Sequence, residues 1–157
     1  GAAGRVGSAA IQIALHRGAI VIGTASAPKH PYIRSLGAVP TSYEPGLTER
    51  LRMLAPNGVD AALDLAGAGT IAELVAIVGD ADRVVSISDV TAPQHGAAFS
   101  GKSLDHPEQA FAEAAQLYEV GSLDLRIEQT FAMEQIATAQ QISAAGHVTG
   151  KLVITIP

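Results

Sequence analysis

Short apolar runs alternate with longer stretches of helical period along the chain. Residues 8–17 place Ala, Ile and Leu at helical spacing and stop at Gly18, which predicts a helix closed by a residue free to take positive φ. Ala19-Ile20-Val21-Ile22-Gly23-Thr24 follows as an apolar, β-branched run short enough for a buried strand. The alternation then repeats. Helices are predicted over 28–36 before Gly37, over 47–55 before Pro56-Asn57-Gly58, and over 70–78 before Gly79. Strands are predicted over 59–65 and 83–88, with a short one over 96–100. Strands that alternate with helices through short loops predict a parallel α/β sheet of the doubly wound, Rossmann type, with helices on both faces. Past Gly101 the rhythm changes to an amphipathic helix over 107–120, a strand over 125–131, a helix over 133–145 and a Val/Ile-rich strand over 151–156. The chain therefore divides, at a soft boundary near Gly101, into an α/β unit, 1–101, and a C-terminal helix-strand-helix-strand segment, 102–157.

Composition narrows the class. Of 157 residues, 48% are hydrophobic but only 4% aromatic, with no Trp. The core is thus built from Ala, Val, Ile and Leu, which suits helices packed closely on a buried sheet and not the stacking of bases on aromatic rings. The net charge of −5 comes without any basic run, so neither nucleic acid nor an anionic membrane is an expected partner. Cysteine is absent, which excludes disulfides and thiolate metal sites within this chain. No apolar run reaches about 18 residues. No secretory leader is expected, and a cytoplasmic location is the default expectation.

The opening carries the first chemical signal. Gly1, Gly4 and Gly7 lie three residues apart, immediately before the first helix. Glycine leaves room for a phosphate to approach the backbone, and a helix start presents unpaired N–H groups and partial positive charge. A pyrophosphate is a natural ligand for that arrangement. Tight packing alone explains such an opening equally well, and the spacing differs from G-x-G-x-x-G. The βαβ rhythm that follows favours the dinucleotide reading. The strand expected before the glycines is not in the sequence.

Five stretches together resemble one family. Gly1-Ala2-Ala3-Gly4-Arg5-Val6-Gly7-Ser8-Ala9-Ala10-Ile11-Gln12-Ile13-Ala14 resembles the glycine motif and first helix of the medium-chain dehydrogenase/reductases, in their quinone oxidoreductase and enoyl reductase branch. Ile22-Gly23-Thr24-Ala25-Ser26, Leu36-Gly37-Ala38 and Gly58-Val59-Asp60-Ala61-Ala62-Leu63-Asp64 resemble later strands and turns of that branch. Gly146-His147-Val148-Thr149-Gly150-Lys151-Leu152-Val153 resembles its C-terminal end. Arg5 stands where the family usually has Gly, and offers a further phosphate contact. The resemblance implies an N-terminal catalytic domain and a first Rossmann strand upstream of this chain. It also implies a zinc-free enzyme that acts on a quinone or an α,β-unsaturated carbonyl compound, and a homodimer.

The cofactor reading rests on named positions. Gly4, Arg5, Val6 and Gly7 are the expected pyrophosphate contacts. The end of the second family strand reads Thr24-Ala25-Ser26-Ala27-Pro28-Lys29. It lacks the carboxylate that holds a ribose 2′-OH in NAD sites. Ser26 and Lys29 suit a 2′-phosphate instead, so NADP(H) is the expected cofactor. Ser26 is equally suited to capping a helix, and Lys29 to being a solvated charge. The resemblance adds Tyr43 as a third contact to this phosphate, with simple packing as the alternative. It also places Gly67, Ile87, Ser88 and Phe99 along the nicotinamide end. Asp60, Asp64 and Asp89 are read as structural, and Lys151 as a surface charge, with a reach to the cofactor or substrate cleft of the whole enzyme as the alternative. His16, His30, His95, His106 and His147 show no metal-ligand spacing and are read as mostly solvated. No catalytic residue and no metal ligand is nominated, since hydride transfer belongs to the cofactor. Two other readings stay open: a non-catalytic NADP-binding module acting as sensor or structural protein, and an inactive isolated fragment.

Overall fold

The structure is a computed structural model and describes residues 1–101, 105–146 and 148–156. Helix α1 (Gly7–His16) ends where Gly18 takes φ +83. Strand β1 (Ile22–Thr24) follows, then a 3-10 turn over Ala27–Lys29 that runs into α2 (His30–Ser35). Strand β2 (Val39–Thr41) and α3 (Leu47–Leu54) come next, followed by β3 (Ala62–Asp64) and α4 (Ile71–Val78). Strand β4 (Val84–Ser86) and the two-residue β5 (Ala98–Phe99) complete the first part of the chain. After the boundary region come α5 (Pro107–Glu119), β6 (Ile127–Ala132), α6 (Ile136–Ala144) and β7 (Lys151–Thr155).

Every strand pairing is parallel, as the βαβ alternation requires. The pairs form three ladders: β1 with β2, β3 with β4 and β5, and β6 with β7. The strands differ from the sequence expectation in length and, once, in number: that predicted over 59–65 forms only over Ala62–Asp64, and that over 83–88 only over Val84–Ser86. The strand predicted over 19–24 forms only from Ile22, because Ile20 is 92% exposed and no partner extends that far: β2 pairs with residues 22–24 alone. Strand β2 is absent from the periodicity reading. It is three residues long and contains Pro40, a residue that sequence rules confine to edge strands.

Two apolar clusters anchor the first two of these ladders. Ile11 of α1, Ile33 of α2, Ala25 and Ala38 pack around β1, with Leu15 and Val21 beside them. Ile71 of α4, Val84 of β4, Ala92 and Ala97 form the second cluster. Ile33 and Val84 are fully buried, and each such side chain contributes about 1.5–3 kcal/mol of transfer free energy. The Gly1–Ala2 stretch touches both ladders. The Ala2 N–H donates to the Thr24 carbonyl at 3.2 Å, while a Cβ on Gly1 would lie 3.1 Å from the Leu65 Cβ.

Candidate functional site

The glycine turn is built by its own backbone. The Gly4 N–H donates to the Gly1 carbonyl at 3.1 Å, and the Ser8 N–H to the Gly4 carbonyl at 3.0 Å. Gly7 has no room for a side chain: a Cβ there would lie 2.3 Å from the Gly1 oxygen and 2.6 Å from the Ala2 oxygen. Helix α1 can therefore start flush against the turn only with glycine at this position. No side chain caps the helix. The N–H groups of Arg5, Val6 and Gly7 have no partner among the described residues. A helix start with uncapped donors and no acidic side chain in its first turn carries the partial charge that an anion completes. Of the predicted contacts, Gly7 is buried, Gly4 half-buried, and Arg5 and Val6 face solvent.

The C-terminal segment closes on this turn. Lys151 Nζ donates to the Arg5 carbonyl at 2.8 Å, and Arg5 Nη1 to Ser143 Oγ at 2.5 Å. Lys151, expected as a surface charge, is instead held at the glycine turn. Lys29 Nζ donates to the Oγ1 of buried Thr149. Between them, Gly150 sits at φ +96, where a Cβ would lie 2.3 Å from the Arg126 oxygen. Thr149-Gly150-Lys151 thus meets the start of α2 with its first residue and the start of α1 with its last. The signal in the sequence was the Thr-Gly-Lys triplet itself, but only the folded chain brings position 149 to position 29.

Ser26 and Tyr43 leave neighbouring strand ends. Thr24 and Thr41 are paired in register, and the Ala25 N–H donates to the Thr41 carbonyl at 2.9 Å. Ser26 and Tyr43 each stand two residues beyond that pair, and both are exposed. Ser26 precedes the 3-10 turn but makes no side-chain capping bond.

The other candidate positions follow β3, β4 and β5. Gly67 takes φ +65, and a Cβ there would lie 3.0 Å from the Ser88 oxygen, so the loops after β3 and β4 touch. Phe99 ends β5, and the Ser100 N–H donates to the Ser86 carbonyl at 2.8 Å. Asp64 acts structurally, as expected: it is buried and accepts from Ala66 and Gly67 N–H groups. Asp60 is exposed. Asp89 holds its turn by accepting from Thr91 Oγ1 at 2.6 Å and from the Thr91 N–H at 2.9 Å. These bonds, the hydroxyl's first, keep its carboxyl below the ordinary aspartate range.

The described histidines do not converge. The His30 ring lies 3.1 Å from the Ala25 carbonyl and is half-buried rather than solvated, and His106 pairs with Glu108 at 3.1 Å. His147 lies outside the described residues. Among the described residues, no group of three or more His, Asp or Glu side chains is placed to hold a metal ion. Two surface cavities, of about 670 and 480 Å³, lie between α2 and the chain around Arg126, away from the glycine turn. No helix of the described residues is long and apolar enough to cross a membrane.

Residues 38–154 match the family described as zinc-binding dehydrogenase. Among solved structures, the chain is similar to a quinone oxidoreductase from Coxiella burnetii, with 27% identity and a TM-score of 0.77 over 99% of this chain and 51% of that one. An alcohol dehydrogenase superfamily protein from Novosphingobium aromaticivorans is 28% identical, with a TM-score of 0.82 over 100% of this chain and 54% of its own. A quinone oxidoreductase from Pseudomonas syringae is 26% identical, with a TM-score of 0.79 over 99% and 55%. The chain spans about half the length of each of these structures.

Proposed function

The chain belongs to the zinc-binding dehydrogenase family, within the medium-chain dehydrogenase/reductases, and we propose that it forms the NADPH-binding part of an oxidoreductase that reduces a quinone or an α,β-unsaturated carbonyl compound. The observation that carries the proposal is the set of unspent N–H groups at Arg5, Val6 and Gly7. Those amides would hold the pyrophosphate, with the Arg5 guanidinium and Lys151 ammonium adding positive charge beside it. Ser26, Lys29 and Tyr43 would take the 2′-phosphate, and no carboxylate stands between Thr24 and Lys29 to hold a free 2′-OH. The touching loops at Gly67 and Ser88, with Ile87 and Phe99, would line the nicotinamide. A bound NADPH would supply the hydride, and these residues would position its nicotinamide ring.

The residues present here do not fit the metal in the family's description. The chain has no Cys, and its described carboxylates and imidazoles do not converge. A homodimer in the cytoplasm, free of membrane and nucleic acid, is the assembly that goes with this reading.

Titration of the purified chain with NADPH and with NADH, followed by nicotinamide fluorescence, tests the proposal. NADPH is expected to bind more tightly, and Lys29→Ala to remove most of that preference while leaving NADH binding nearly unchanged. Equal affinity for the two cofactors would remove the 2′-phosphate assignment. Absence of binding would remove the dinucleotide assignment altogether.

A further inference from the structure

Asp64 and Ser86 are register partners on the parallel pair β3–β4, and both are buried. The Ser86 hydroxyl donates to Asp64 Oδ2 at 2.7 Å. Each of the two then gathers the loop that follows its own strand. Asp64 Oδ1 accepts from the Ala66 N–H at 3.0 Å and from the Gly67 N–H at 3.2 Å. Ser86 Oγ accepts from the Ser88 N–H at 3.1 Å and from the Asp89 N–H at 2.8 Å. With one bond donated and two accepted, the hydroxyl is saturated.

This network changes what the sheet end offers to a ligand. The Ile87 N–H donates to the Asp64 carbonyl at 3.1 Å, continuing the ladder. The next rung of a parallel pair would run from the Ala66 N–H to the Ile87 carbonyl. Asp64 takes that N–H instead, and no described residue donates to the Ile87 carbonyl. The inward amides are consumed, and an acceptor is left open at the strand ends. A single hydroxyl–carboxylate bond sets the two loops against each other.

We propose that Asp64 and Ser86 are positioning residues for the nicotinamide end: by ending the β3–β4 ladder early, they free the Ile87 carbonyl for the carboxamide N–H of the cofactor and hold the Gly67 and Ser88 loops at a fixed spacing around it. The inference rests on the dinucleotide site proposed above. Neither side chain touches the ligand, so its effect falls on one half of the cofactor only.

The test compares two probes on Ser86→Ala and Asp64→Asn, each verified to melt cooperatively. NADPH carries the nicotinamide; 2′,5′-ADP carries the adenosine and its phosphates without it. Both variants are expected to lose about tenfold in NADPH affinity, the scale of one buried charged hydrogen bond. Affinity for 2′,5′-ADP should stay within about twofold, as for independent sites. NADPH held at the affinity of the unaltered chain, or an equal loss for both probes, overturns the inference. An unaltered chain that binds neither probe overturns the dinucleotide reading and this inference with it. Should either variant fail to fold, amide exchange in the unaltered chain decides. Slow exchange at Ala66, Gly67, Ser88 and Asp89 is expected, and exchange at the rate of open loops overturns the network.

Discussion

Gly4 and Gly7 belong to the same glycine turn but meet different surroundings. At Gly4 the nearest atom to an added Cβ is the Gly1 oxygen at 3.2 Å, whereas at Gly7 three backbone atoms lie within 2.7 Å. Gly7→Ala is therefore expected to destabilise the fold by about 1–3 kcal/mol in chemical denaturation, because backbone atoms cannot step aside. Gly4→Asp is expected to need only a small local shift at the Gly1 oxygen and to abolish NADPH binding, since its carboxylate would stand where the pyrophosphate is proposed to lie; titration of the folded variant reads this. Asp89 gives a pH-dependent test. Its folded pKa is depressed by the Thr91 hydroxyl and N–H, so its contribution is complete above the unfolded aspartate value and is lost as pH falls through the lower folded one. An NMR titration should place its midpoint below 3.8, and Thr91→Val should raise it.

At the scale of elements, few contacts hold the C-terminal segment, and they are of unequal weight. Helix α5 buries only Leu117, whose carbonyl also accepts the Ser122 and Leu123 N–H groups of the turn that follows. The Arg17–Glu113 ion pair to α1 measures 2.6 Å, but both side chains are about half exposed or more. Leu117→Ala is expected to cost about 2–4 kcal/mol, and Arg17→Ala less than about 1 kcal/mol, in parallel urea melts. Gln12 on α1 makes a firmer tie. Its side-chain amide accepts the Asp124 N–H at 2.7 Å and donates to the Asp124 carbonyl at 2.9 Å, as a neighbouring strand would. Helices α1, α3, α4 and α5 were legible in the sequence to within one residue, because apolar period and a closing glycine or a flanking proline mark them locally; α6 was read three residues long at its start, where a 3-10 turn over Met133–Gln135 precedes it. Strand β2 was not, because three residues with a central Pro become a strand only beside β1.

The whole chain exposes 9920 Å², whereas a compact monomer of 16.0 kDa is expected to expose about 7,400 Å². The excess is partly apolar: Ile20, Phe111, Tyr118, Val120 and Ile156 are each at least 65% exposed. Large apolar side chains left this exposed are candidates for cover by a contacting chain. The isolated chain is therefore expected to bind 8-anilinonaphthalene-1-sulfonate at neutral pH and to sediment heavier than a monomer at micromolar concentration. A dye-silent monomer would show that these residues need no cover.

Local chemistry and periodicity were enough to specify the α/β alternation, the parallel pairing, the glycine turn at the first helix and the absence of a carboxylate between Thr24 and Lys29. Each is a property of neighbours in the chain. Only tertiary structure brought Lys151 to Arg5, Thr149 to Lys29 and Ser86 to Asp64. Those pairs are separated by 146, 120 and 22 residues, and what joins them is the parallel register and the packing of the C-terminal segment against α1 and α2, which no local pattern encodes.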